Sequence, residues 1–427
     1  MATVSEMRAA AAAGTLDEKL APLGRRADQA RERAQAVLDG FAQTFGSGEA
    51  APAALYSAPG RTEIGGNHTD HQHGHVLAAA VNLDFMACAV PNGTNTIRFQ
   101  SEGWPMVEVS LEGLEPKEEE KETTASLVRG MAACAAERGY EVGGFDAYAA
   151  SDVLPGSGLS SSAACEVLIG VIINHLFCGG GLDAPTIARM AQRAENVYFG
   201  KPSGLMDQMA SSVGSAVSID FKDPANSVIR PVKVDLEAEG YALCIIDSGA
   251  SHADLTAEYA AIPQEMKAVA AYFGKEVLRE VSEEEVTAGL PALRKAVGDR
   301  AVLRALHFYA DDRRAVEEAA ALERGDFDAF LKLVEESGIS SWTMLQNIAP
   351  AGAVQEQAVA VALAVAKKAL AGRGACRVHG GGFAGTIQAF VPLDMLENFR
   401  SQVEAALGEN RCHVLSIRPV GGAVITL

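Results

Sequence analysis

Leu154-Pro155-Gly156-Ser157-Gly158-Leu159-Ser160-Ser161-Ser162-Ala163-Ala164 is the stretch that decides the fold. It lies between a strand-like apolar run, Phe145 to Val153, and a helix-like apolar run, Ala163 to Phe177. Two glycines permit a sharp turn and bring backbone N–H groups close to an anion. The serines add hydroxyl donors and a hard-oxygen ligand for magnesium, and the helix that follows aims its positive dipole end at the same point. Such a loop cradles phosphate. It is not the Walker A form, because no Lys follows the glycines and G-x-x-x-x-G-K-[ST] occurs nowhere in the chain. Taken alone, the stretch would equally suit a serine-capped helix start.

Outside this loop, composition narrows the function class. At 427 residues the chain exceeds one ordinary hydrophobic core, so two domains are expected. Its 36 Lys+Arg stand against 55 Asp+Glu, a net charge of −19. A field of that sign disfavours nucleic acid and anionic membrane surfaces as partners, so a bound nucleotide must be held by local donors and a metal. The seven cysteines are scattered without a C-x-x-C pair and read as reduced core thiols of a cytoplasmic protein. Ala9 to Ala13 is too short and bland for a secretory signal, and no apolar run reaches membrane-spanning length.

Three further segments keep company with the loop. Upstream stands Ala58-Pro59-Gly60-Arg61-Thr62-Glu63-Ile64-Gly65-Gly66-Asn67-His68-Thr69-Asp70. Downstream come Gly204-Leu205-Met206-Asp207-Gln208 and His379-Gly380-Gly381-Gly382-Phe383-Ala384-Gly385. In this order, from about Leu55 to the C-terminus, the four resemble the GHMP small-molecule kinases and, within them, the galactokinase family. The resemblance implies ATP as co-substrate, Mg²⁺, a sugar as the acceptor, and galactose 1-phosphate as the product of a monomeric sugar 1-kinase.

It also implies roles for individual residues. Gly156, Ser157, Gly158, Leu159, Ser160, Ser161 and Ser162 would hold the nucleotide phosphates. Ser162 and Glu195 would hold the metal; Glu195 by itself would pass for a solvent-facing helix carboxylate. Asp207, otherwise an unremarkable acid in a first helical turn, would accept or orient the proton of the anomeric hydroxyl. Arg61 would stand beside it, facing the γ-phosphate and keeping the carboxylate ionised. Asn67, His68, Asp70 and Tyr259 would grip the sugar.

The upstream segment departs from the family pattern Gly-Arg-Val-Asn-Leu-Ile-Gly-Glu-His-Thr-Asp-Tyr. Glu63 replaces the Asn, Asn67 the Glu that normally bonds the hydroxyl on C6, and His71 the Tyr. An amide at 67 removes a charge that would repel a C6 carboxylate, so galacturonate, or a C5 sugar such as arabinose, is an alternative acceptor. Two other classes compete. Four histidines (His68, His71, His73, His75) have the spacing of a zinc or nickel site, although that reading leaves Pro59-Gly60-Arg61 without a role. A non-catalytic sugar-and-ATP sensor should have lost the loop or Asp207, and both are intact.

Hydrophobic patterning mixes hairpins and helices without regular βαβ alternation, which indicates α+β. One helix is expected over 17–46, then a strand at 53–58 and a long strand at 76–90. Strands 96–100 and 106–111 are read as hairpin strands around Asn92-Gly93. Helices at 123–138, 159–177 and 184–198 and a strand at 145–153 follow. The region 253–372 reads as helical, broken at Pro263, Pro291 and Pro350. The resemblance implies a helical extension (1–46), an N-terminal domain like the second domain of ribosomal protein S5 (47–230) and a ferredoxin-like C-terminal domain (231–427).

Overall fold

The computed structural model describes residues 2–46, 51–153, 158–201, 203–250 and 255–427. At the N-terminus, α1 (Val4–Ala13) is started by a reciprocal capping box between Thr3 and Glu6. The alanine run is therefore helix, with Ala10 and Ala11 buried. The expected single helix is split into α2 (Asp17–Leu20) and α3 (Ala27–Phe45). Pro22 and Gly24 divide them, the glycine taking φ +76° where a side chain would be strained. One face of α3, through Val37, Leu38 and Phe41, packs with Leu55, Met86 and Cys88. Gly40 lets it come so close that the Tyr148 ring lies where a Cβ would be.

The first sheet is built on two long antiparallel strands, β1 (Ala54–Gly65) and β2 (His75–Pro91). The C-terminal half of β2 pairs with β5 (Phe145–Ser151), its N-terminal half with β6 (Ala216–Asp220), and β6 pairs with β7 (Val228–Val232). Beyond β5 come β3 (Thr96–Ser101), parallel to it, and β4 (Val107–Ser110). So β3 and β4 do form a hairpin, but Asn92-Gly93 does not join paired strands: β5 lies between β2 and β3. The Asn92 amide bonds Thr96 O and Asp146 Oδ1, which steers the chain around the inserted apolar strand.

Helices α4 (Thr124–Ala136), α5 (Ser161–Phe177), α6 (Ala184–Arg193) and α7 (Met206–Val213) cover the face opposite α3, with α5 and α7 against β1 and β2. Period-2 alternation divides the strands: Tyr56, Ala87 and Ala89 pack with α5, whereas Leu55, Met86 and Cys88 pack with α3. Helix α6 ends in a π-turn, Ala194–Phe199, that carries Glu195.

The second sheet is antiparallel, in the order β11 (Cys412–Leu415), β8 (Tyr241–Asp247), β10 (Thr386–Pro392), β9 (Ala375–Val378). Its core joins Cys244, Ile246 and Ile387 to α12 (Ala358–Leu370) and α13 (Leu396–Leu407). Between β8 and β9 in sequence lie α8 (Thr256–Tyr272), α9 (Glu283–Val297), α10 (Asp299–Glu323) and α11 (Phe327–Ser340). Pro263 and Pro291 do not break α8 and α9 but sit inside them. Each forfeits one backbone hydrogen bond, and buried anchors on both sides (Ile262 and Met266, Val286 and Leu293) hold the helices together.

The last strand, β12 (Ala423–Ile425), leaves the second sheet and pairs with β1, with Leu55 opposite Ile425. Buried Arg418 secures this return through Ser57 Oγ at 2.7 Å and Asp84 at 3.3 Å. The chain end thus closes the first sheet instead of staying with residues 231–416, because β1 would otherwise leave an unpaired edge.

Candidate active site

Arg61 is placed by a close contact between β1 and the serine loop. A Cβ on Gly60 would lie 2.9 Å from Leu159 O, so only glycine lets the strand touch the loop. The register of β1 shifts between Pro59 and Arg61, the irregularity that turns the arginine toward the loop. Arg61 N donates to Leu159 O at 3.0 Å, and its guanidinium donates to Gly158 O. Arg61 Nε donates to Asp207 Oδ1 at 2.7 Å.

Asp207 is the second residue of α7, and its other oxygen accepts from Ser160 Oγ. Burial raises the Asp207 pKa, but the Arg61 charge and hydrogen bond, with the Ser160 hydroxyl, outweigh it and hold the carboxyl below the usual range. The arginine side chain is 8% exposed and the aspartate 32%, and both line one cavity. Three segments separated by up to 146 positions meet here. Gly156 and Ser157 lie outside the described residues.

A second corner forms at the start of α5. Ser162 Oγ lies 3.3 Å from Glu195 Oε1, a pair of hard oxygens that suits Mg²⁺. Lys201 Nζ is 3.1 Å from the same Glu195 oxygen, and Gln208 donates to its other oxygen at 2.8 Å. Gln208 also donates to Glu166 Oε2 at 3.2 Å. Burial and the neighbouring Glu195 push the Glu166 carboxyl well above its ordinary range. Lys201, Gln208 and Glu166 were not singled out from sequence. Glu166 had a visible signal, an acid inside an otherwise apolar helical run, whereas Lys201 had none.

The sugar-side residues divide. A cavity of roughly 750 Å³ is lined by Arg61, Asp207, Glu63, His68, Asp70 and Tyr259 among others, but not by Asn67. Asn67 has no solvent exposure and all its polar atoms are engaged. Its amide donates to Glu63 Oε1 at 2.9 Å and Gly380 O at 2.8 Å, while Oδ1 accepts from Asn347 at 2.8 Å and Ser341 at 3.2 Å. The expected direct grip on the sugar is therefore not seen at Asn67. His68 takes φ +60° and sets Nε2 3.1 Å from Gly381 O. A carbonyl only accepts, so Nε2 carries the proton. Burial and His71 push the His68 pKa down to about 4, leaving the ring neutral. Tyr259 donates to Gly382 O at 3.0 Å. The carbonyls of Gly380, Gly381 and Gly382 thus stitch the upstream segment and α8 together, and Gly380 and Gly381 also reach the cavity wall.

The histidines do not assemble a metal centre: among the described residues no group of three or more His, Cys, Asp or Glu side chains converges on one. His75 instead sits between Asp312 at 3.1 Å and Asp220 at 3.3 Å.

The sequence and the fold have counterparts. Residues 126–215 match the model of the GHMP kinases N-terminal domain, and residues 39–91 match the galactokinase galactose-binding signature. The galactokinase of Streptomyces coelicolor is 32% identical over 394 residues, 91% of this chain and 97% of that protein. The chain belongs to the galactokinase family. The crystal structure of Lactococcus lactis galactokinase complexed with galactose is similar at a TM-score of 0.76 and 25% identity, covering 90% of this chain and 98% of that one. Mevalonate kinase, at 12% identity and a TM-score of 0.58, shares the fold. The α+β GHMP kinase fold and a sugar-kinase activity follow from this membership. The galactokinase signature begins at residue 39, inside α3, so the likeness starts earlier than Leu55. Among the described residues no helix is long and apolar enough to cross a membrane.

Proposed function

We propose that this chain transfers the γ-phosphoryl group of ATP to the anomeric hydroxyl of galactose, giving galactose 1-phosphate and ADP. The observation that carries the reading is the 2.7 Å pair of Arg61 and Asp207, which lines one cavity with Glu63, His68 and Asp70 of the galactose-binding signature. In the transfer, the sugar oxygen bonds to the γ-phosphorus, the bond to the leaving ADP oxygen breaks, and the hydroxyl proton passes to Asp207. A carboxylate held by two donors is a weak base, so it orients the hydroxyl first and takes the proton late. Arg61 faces the charge on the moving phosphoryl group with a planar fork that an ammonium does not reproduce.

Ser162 and Glu195 would hold Mg²⁺, which when bound offsets the negative charge of the phosphates. Lys201, already paired with Glu195, adds positive charge at the same corner. His68, Asp70 and Tyr259 line the sugar side, and Asn67 acts by holding their loop against the glycine run.

A coupled kinase assay on galactose, galacturonate and arabinose, with the product identified by phosphorus NMR, tests the proposal. Galactose should be the preferred acceptor, phosphorylated at the anomeric oxygen. Absence of transfer to galactose in the presence of ATP and Mg²⁺ would rule it out.

A further inference from the structure

Glu63 and Asn67 exchange the acid and the amide of the family pattern, and the structure shows them hydrogen-bonded to each other at 2.9 Å. The two are not equivalent in space. Asn67 is enclosed and satisfied, whereas Glu63 lines the cavity. Glu63 Oε1 is engaged by Arg377 at 2.6 Å and by the Asn67 amide. Glu63 Oε2 has no hydrogen-bond partner among the described residues. Unlike the enclosed, unpartnered oxygens of Glu318, it is not sealed from the cavity. Arg377 is fully buried behind Glu63 and does not line the cavity, so its charge is available to Glu63 and not to a ligand.

We infer that Glu63 is a specificity-determining residue of the sugar site: its free oxygen accepts a hydrogen bond from a hydroxyl of the acceptor and turns away sugars that present a carboxylate there. The inference rests on the sugar-kinase reading above. It reverses the expectation drawn from Asn67 alone. The carboxylate has not been lost from the segment but moved four residues toward the N-terminus, where a neighbouring arginine holds it in place. Burial holds the Glu63 pKa above its ordinary value with the Arg377 charge opposing the rise, and the 2.6 Å ion pair with Arg377 is what fixes the carboxyl group in place. A hydroxyl gains a charge-assisted bond at this oxygen, while a carboxylate meets like charge in a partly enclosed site.

The test measures steady-state kinetics with galactose and galacturonate for the wild type, Glu63→Gln and the double variant Glu63→Gln/Arg377→Met. The double variant removes both charges together, so that no buried arginine is left unpaired if the single variant folds poorly. The wild type should discriminate against galacturonate by ~100-fold or more in kcat/KM. Both variants should raise the KM for galactose by ~10-fold or more while kcat moves by less than about threefold, and should narrow the gap to galacturonate. A galactose KM within about twofold of wild type in a folded variant, or wild-type turnover of galacturonate equal to that of galactose, would overturn the role of Glu63. Wild-type inactivity toward galactose would instead overturn the kinase reading, and this inference with it.

Discussion

The phosphate corner and the sugar corner of the cavity are built on opposite plans. Around Asp207, charged groups are brought into hydrogen-bond contact yet keep one face open: the carboxylate is bonded by Arg61 and Ser160 and remains 32% exposed. Around Asn67, the polar atoms are closed on one another, and the amide and backbone link β1 to Asn347, Asp311 and the glycine run. In the proposed transfer, the first arrangement places charge where the reaction develops it. The second fixes the spacing between two sheets, and its outer members, Glu63, His68, Asp70, Gly380 and Gly381, line the cavity. A motif residue can thus serve recognition by holding the residue that recognises.

Asp207→Asn should give the largest effect of the predictions that test this contrast. Turnover should fall by ~10³-fold or more while galactose binding, followed by calorimetry, stays within a few-fold. Near-normal kcat would place Asp207 with the structural group. Arg61→Lys should cost kcat about 10²-fold, since the fork that reaches both Asp207 and Gly158 O is lost. Ser162→Ala should raise the Mg²⁺ concentration needed for half-maximal activity by ~10-fold with the fold intact, and an unchanged Mg²⁺ requirement would remove Ser162 from the metal corner.

On the closed side, Asn67→Ala should lower unfolding free energy by roughly 3 kcal/mol in chemical denaturation, because buried partners lose their bonds, with kcat reduced only a few-fold. A large kcat loss without destabilisation would contradict the structural role. The smallest effect concerns pH. His68, held down to about 4 from an unfolded value near 6.5, contributes stability that is complete above the unfolded value and lost as pH falls from there toward 4. The galactose KM should therefore show no inflection from His68 between about pH 6 and pH 8. A histidine step in that window would show that the ring is not buried neutral.

Much of the architecture could be read in advance where one period dominates. The apolar run of β2 and the helix α5 stand close to where their patterns put them. The misreadings share a cause. The intervening β5, the unbroken α8 at Pro263 and the return of β12 to the first sheet all depend on which segment supplies a missing neighbour. The same holds in the site. Lys201 and Arg377 carry no local signature, since each matters only through a partner in another element.

Residue types and their order along the chain were enough to determine the kinase family, the glycine–serine loop and the identity of the arginine and aspartate that meet. They suffice because glycine conformations and charge chemistry are local properties, readable without neighbours. The tertiary structure alone decided which polar groups face the cavity and which are closed behind it. Enclosure is a property of everything packed around an atom, and for Glu63 and Asn67, four residues apart in one segment, it set the acid at the cavity wall and closed the amide behind it.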